Sequence, residues 1–271
     1  MGRVTKAEPF RRRTVLRVGA GLTAALAAGC ADRARTPVTA DPTPTTHATH
    51  TPPATPATPS ARAAPGPRPL PGLPAQIDHG PADRRSVALT FHGQGDPAIA
   101  HAVLTEAERA RAKVTVLAVG TWLDEHPAVA RRILDGGHDL GNHTLHHLSI
   151  NTMSEADAYA EITGCADRIR RLTGSIGTWF RPSRTQTATP LVARLAQRAG
   201  YPHVLSYSVD SLDYTSPGKD AVVDNVTSAV RPGSIVSMHF GYADTVAALP
   251  TLLDRLTARG LSAVTCTELL A

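Results

Sequence analysis

From residue 83 onward the chain alternates between short apolar runs and longer stretches of helical period, and nothing else in it restricts the fold so strongly. Residues 86–91, 114–119, 139–142, 178–180, 203–209, 234–239 and 262–266 have strand character, several of them rich in β-branched residues. Residues 97–110, 127–134, 155–172, 190–199, 220–230 and 245–259 have helical spacing, and glycines stop several of them. Such alternation predicts an α/β fold with a parallel sheet and helices outside. Seven units in 189 residues suit a distorted (β/α)7-type barrel. An open doubly wound sheet would want a glycine-rich phosphate turn after its first strand. His92-Gly93-Gln94-Gly95-Asp96 lacks the third glycine and the acidic residue about 20 positions on.

The first 82 residues are of another kind. In residues 31–82, Pro, Thr and Ala fill 33 of 52 positions, too little apolar bulk for a core. This tract is expected to be a disordered linker, and residues 83–271 the folded domain. Before it, Arg12-Arg13 precedes an uncharged run too short to span a bilayer, which takes about 20 residues. Residues 1–30 therefore read as a twin-arginine-type export signal. They end in Leu26-Ala27-Ala28-Gly29-Cys30, which resembles a lipoprotein cleavage box; ordinary cleavage near Ala27 is the alternative. The expected location is outside the cytoplasm, with membrane attachment only through a lipidated Cys30. The net charge of +5 belongs to this leading segment, which holds 10 Lys/Arg and 4 Asp/Glu. The folded part holds 18 and 19, so nucleic acid is not an expected partner. Cys165, in an expected helix, and Cys266, in an expected strand, either pair or stay as buried thiols.

Polar residues collect where the expected strands end. His92, Asn142 and His143, Arg181, Asp210 with Asp213, and His239 each follow or close a strand. In parallel barrels that face carries the site. In His143-Thr144-Leu145-His146-His147, the histidines four apart would share a face of a helical turn and could grip one cation.

The ordered set resembles the polysaccharide deacetylase family, metal-dependent carbohydrate esterases with a nodulation-deacetylase-like domain. The likeness rests on His143-Thr144-Leu145-His146-His147, Phe180-Arg181-Pro182, Asp210-Ser211-Leu212-Asp213-Tyr214 and Ser237-Met238-His239. The family's Thr-Phe-Asp-Asp-Gly block is replaced by Thr90-Phe91-His92-Gly93-Gln94. His92 stands where the resemblance implies the base, and Gly93 where it implies a metal ligand. Two repairs are open. Either His92 is the base and Asp96 joins His143 and His147 as third ligand, or His92 is the third ligand and Asp96 the base. Asp96 also suits a cap on the helix that opens at Pro97.

The resemblance implies a divalent metal, most naturally zinc, and water attack on an N-acetyl or O-acetyl group of an envelope or extracellular polysaccharide. His239 would protonate the leaving group, Asp213 would orient His239, and Arg181 would pair with an acidic neighbour or orient the base. A monomer is expected. Loss of the first-block carboxylates motivates an alternative, a non-catalytic glycan-binding relative. A hydrolase on another C–N or ester bond is a third reading.

Overall fold

A computed structural model describes residues 64–271. The expected export signal, the lipidation of Cys30 and most of the linker lie outside the described residues. The elements are β1 (Gln76–Ile77), β2 (Ser86–Gly93), α1 (Pro97–Arg109), β3 (Val114–Ala118), α2 (Gly120–Glu125), α3 (Pro127–Asp135), β4 (Asp139–Asn142), α4 (Glu155–Thr173), α5 (Pro190–Arg198), β5 (Val204–Leu205), β6 (Val209–Asp210), α6 (Lys219–Ala229), β7 (Ile235–His239), α7 (Ala243–Ala258), β8 (Ser262–Ala263) and α8 (Cys266–Leu269).

Strands β4-β3-β2-β7-β6 are neighbours in that order, all parallel. Phe180 bridges Asn142 on one side and Val204 on the other, which carries the wall from β4 to β5. The parallel α/β architecture expected from the alternation is what the chain adopts. Strand period explains its two faces. Val87, Leu89 and Phe91 of β2 join Val116, Val236 and Met238 in the cluster packed against α1 and α7. Ala88 of β2 joins Leu117 and Ile235 in another cluster, which Cys266 and Leu269 of α8 complete. The parity that turns Ala88 inward turns Thr90 and His92 the same way. His239 is the register partner of His92.

Three expected strands are shorter. In 178–180 only Phe180 pairs. The 203–209 run is split into β5 and β6, because the Ser206 carbonyl turns to accept from Arg181 Nη2 at 2.9 Å. The 262–266 run ends at Ala263, since Thr265 and Glu268 form a capping box that opens α8. Cys266 therefore begins a helix. Cys165 and Cys266 are buried free thiols in different clusters, both pushed up to about 12 by burial.

The linker boundary also differs from expectation. Residues 64–82 are ordered against the barrel. Strand β1 pairs with β5, and Ser206 N–H donates to the Ile77 carbonyl. His203 Nε2 accepts from Leu70 N–H at 2.9 Å, and its Nδ1 donates to the Pro74 carbonyl at 2.8 Å. Low apolar content misled here because Leu70, Leu73 and Ile77 pack on the barrel's own cluster rather than on one another.

Candidate functional site

The C-terminal strand ends open into a cleft of about 480 Å³, lined by His92, Gln94, His147, Arg184, Thr185, Tyr207, Asp210, Tyr214, His239 and Tyr242. Strand register and the following loops bring four histidines together. The His92 ring stacks on His143 at 4.2 Å and meets His239 edge-on at 4.4 Å. His147 lies 4.9 Å from His143. His143 to His147 is not a helical turn, contrary to expectation. The segment is a loop in which Thr144 and His147 adopt φ of 70° and 56°. Asn142 Oδ1 holds this loop by accepting from Thr144 N–H at 2.8 Å. His146 points away and pairs with Glu161 at 2.6 Å.

On one side of the cleft, Asp213 is completely buried and saturated with donors. Its Oδ1 accepts from His239 Nδ1 at 2.7 Å, and its Oδ2 from His239 N–H and the Thr245 hydroxyl. The bond at Nδ1 fixes the ring and leaves Nε2 as its remaining nitrogen.

On the other side Arg181 is also completely buried, with no carboxylate among its hydrogen-bond partners. It donates to Thr90 Oγ1, the carbonyls of Leu205 and Ser206, and His92 Nε2 at 3.2 Å. Burial lowers its pKa to about 10, so it stays charged at neutral pH. Arginine cannot accept, so His92 Nε2 carries the lone pair and Nδ1 carries the proton. Burial first, then the charges of His143, His239 and Arg181, hold His92 well below the usual histidine range. His92 is therefore neutral, with its basic nitrogen committed to Arg181. That opposes both roles expected of it, base and third ligand.

Asp96 is not drawn into the cluster. It is exposed and caps α1, its Oδ1 accepting from Ala98 N–H at 2.8 Å. The expected ligand or base role gives way to the cap, because Pro97 opens the helix directly behind it. His143 Nδ1 donates to the Arg181 carbonyl at 3.0 Å, so its Nε2 carries a lone pair. That atom is buried without a partner. His147 is lowered to about 4, by burial first and then by Arg184 and His239.

The donor set does not fit a catalytic cation. Such a site needs about three protein ligands. His143 and His147 offer two, and no cluster of three His, Cys, Asp or Glu able to hold a metal occurs among the described residues. Gly93 itself supplies no carboxylate, and a side chain there would be crowded. A Cβ added at Gly93 would lie 3.0 Å from Val116 Cγ1, 3.1 Å from Ala118 Cα and 3.2 Å from Trp122 Cζ3. Trp122 is itself pinned by its Nε1 donating to the Gly95 carbonyl at 2.7 Å.

Sequence reasoning missed Thr90 and Thr245, which complete the two sides. It also missed Arg184, which reaches the cleft just after the Arg-Pro pair. Position within strand parity marked Thr90; nothing local marked Thr245.

A sequence model of the polysaccharide deacetylase family matches residues 79–204. The chain is 30% identical over 194 residues to a peptidoglycan-N-acetylglucosamine deacetylase of Bacillus cereus, covering 70% of this chain and 90% of that one. It is 30% identical over 199 residues to a chitooligosaccharide deacetylase of a Bradyrhizobium species, covering 65% and 86%. Among solved structures, a CE4 family pseudoenzyme from Bacillus anthracis superposes with a TM-score of 0.69 at 26% identity, over 73% of this chain and 70% of that one. A mutant of that pseudoenzyme with restored enzymatic activity gives the same TM-score and identity, over 73% and 72%. With the ordered motifs and the barrel that carries them, these likenesses establish that the chain belongs to the polysaccharide deacetylase family.

Proposed function

We propose that this chain holds an N-acetylated glycan of the cell envelope in its cleft without releasing acetate by the metal-dependent route general to its family. The observation that carries this reading is the packing at Gly93. Gly93 supplies no carboxylate, and a side chain there would crowd Val116, Ala118 and Trp122, which would have to give by a few tenths of an ångström. The pseudoenzyme likeness supports the same direction.

The remaining groups suit recognition of an acetamide. Its carbonyl needs a donor and its N–H an acceptor. Arg181 forces His92 to present Nδ1–H, while His239 keeps Nε2 after its Nδ1 is satisfied. Tyr214 and Tyr242 flank His239 and offer aromatic faces to a pyranose. The export signal and Cys30 would place the domain outside the membrane on a short tether, facing wall polymers.

Calorimetric titration of the chain with acetylated oligosaccharides, beside an acetate-release assay with and without added zinc, tests the reading. Saturable binding with no acetate is expected; zinc-dependent acetate release overturns it. The intact His239–Asp213 pair favours a second reading, hydrolysis of an amide or ester in which His239 protonates the leaving group. Its signature is acetate release abolished by His239→Ala while binding persists.

A further inference from the structure

Arg184 lies on the rim of the cleft, on a loop that is tied down beside it. Its Nε donates to the His147 carbonyl at 3.0 Å. Its Nε bond to that carbonyl is its hydrogen bond, and no carboxylate pairs with it among the described residues. Its backbone has φ of 56°, as does that of His147, and Thr144 opposite has 70°. Left-handed backbone at residues with a side chain is disfavoured and persists where surroundings impose it. The imposing contact is visible. Buried Ser183 accepts from the Thr144 hydroxyl at 3.0 Å and donates to the Leu148 carbonyl, bolting the Arg184 loop to the His147 loop. The result is a guanidinium held by one nitrogen, its two Nη groups without a partner among the described residues, beside histidines that burial keeps neutral. Planar guanidinium nitrogens match a carboxylate in two parallel bonds.

We infer that Arg184 is a specificity residue that selects glycans carrying a carboxylate close to the acetamido sugar. The inference rests on the glycan-binding reading above and names the substrate class of that site. A lactyl ether on the neighbouring sugar or a neighbouring uronic acid would each supply such a group.

Titration calorimetry on the full chain with three tetrasaccharides tests it: neutral N-acetylglucosamine oligomer, the alternating N-acetylglucosamine–N-acetylmuramic acid oligomer, and the alternating N-acetylglucosamine–glucuronic acid oligomer. At least one carboxylated probe should bind about tenfold more tightly than the neutral one, and the preferred probe identifies the source. In Arg184→Gln the ratio should fall to about one, and in Arg184→Lys it should fall only in part. Added salt should narrow the wild-type ratio. Equal affinity for all three probes, or a ratio unchanged in Arg184→Gln, overturns the inference. Absence of binding by any probe overturns instead the glycan-binding reading on which it stands. Because the ratio is taken within one protein, a partly folded variant does not mimic the expected loss.

Discussion

On one side of the cleft a buried carboxylate, Asp213, meets three donors, two from His239 and one from Thr245. On the other side a buried guanidinium, Arg181, meets only neutral acceptors. The first side compensates its charge and leaves His239 Nε2 for a ligand. The second side commits His92 Nε2 to its own cation. One side of the barrel thus leaves a histidine nitrogen free beside a buried carboxylate, and the other spends a histidine nitrogen on a buried cation. Side chains of titratable type at strand ends do not by themselves make a reactive site; what each nitrogen already binds decides that.

The largest expected effect tests what supports the Arg181 side. Strand β1 pairs with β5, whose Leu205 carbonyl, with that of Ser206 beside it, receives Arg181. Removing residues 64–82 would strip that pairing and both partners of His203. It should cost about 4 kcal/mol or more, from several hydrogen bonds and the burial of Leu70, Leu73 and Ile77. Equal urea midpoints for chains beginning at 64 and at 83 would break the link between strap and site.

The second expectation compares the two charges directly. Asp213→Ala should cost about 3–5 kcal/mol, since it orphans buried donors. Arg181→Leu should cost less, about 2 kcal/mol, because the loss of its hydrogen bonds is offset by removing an uncompensated buried cation. The reverse order in equilibrium unfolding would show that neutral acceptors satisfy Arg181 better than its surroundings suggest.

Third, Gly93→Ala should cost about 1–3 kcal/mol by overpacking. In a Val116→Ala background the penalty should shrink by about half, read as a double-mutant coupling. Additive costs would mean that the space at Gly93 is open after all.

The smallest effect concerns acid. His92 is held below its unfolded value near 6.5, chiefly by burial, so folding favours its neutral form. That contribution is fully present above about pH 6.5 and is lost as pH falls below it, where the unfolded chain takes up the proton first. Replacing His92 with Asn should flatten the decline of stability between about pH 6 and 4, measured by denaturant melts at each pH. An unchanged slope would mean that His92 is not desolvated in the fold.

Much of this organisation was legible in residue order. Pro97, Pro127 and Pro190 marked the openings of α1, α3 and α5, and Asp96 and Thr189 cap two of these helices. Alternation along β2 and β7 set which residues share a face, so His92 and His239 were bound to meet once the strands paired in register. The HxxxH spacing by itself implies a helical turn, which the chain does not form there. His143 and His147 do come together, through a left-handed loop rather than a helical turn.

What residue order determined by itself was whatever depends on neighbours a few positions away: strand parity, helix starts and the capping choice open to Asp96. Only the tertiary structure decided the rest. Arg181, 89 positions from His92, sets which nitrogen of that ring keeps its proton. Trp122, 29 positions on, crowds the space at Gly93. Residues 64–82 are held by groups distant in sequence, among them His203, β5, Thr173 and Gly233. A tautomer, a crowded space and a docked strap each depend on atoms that only barrel closure brings within reach, and no local pattern carries that distance.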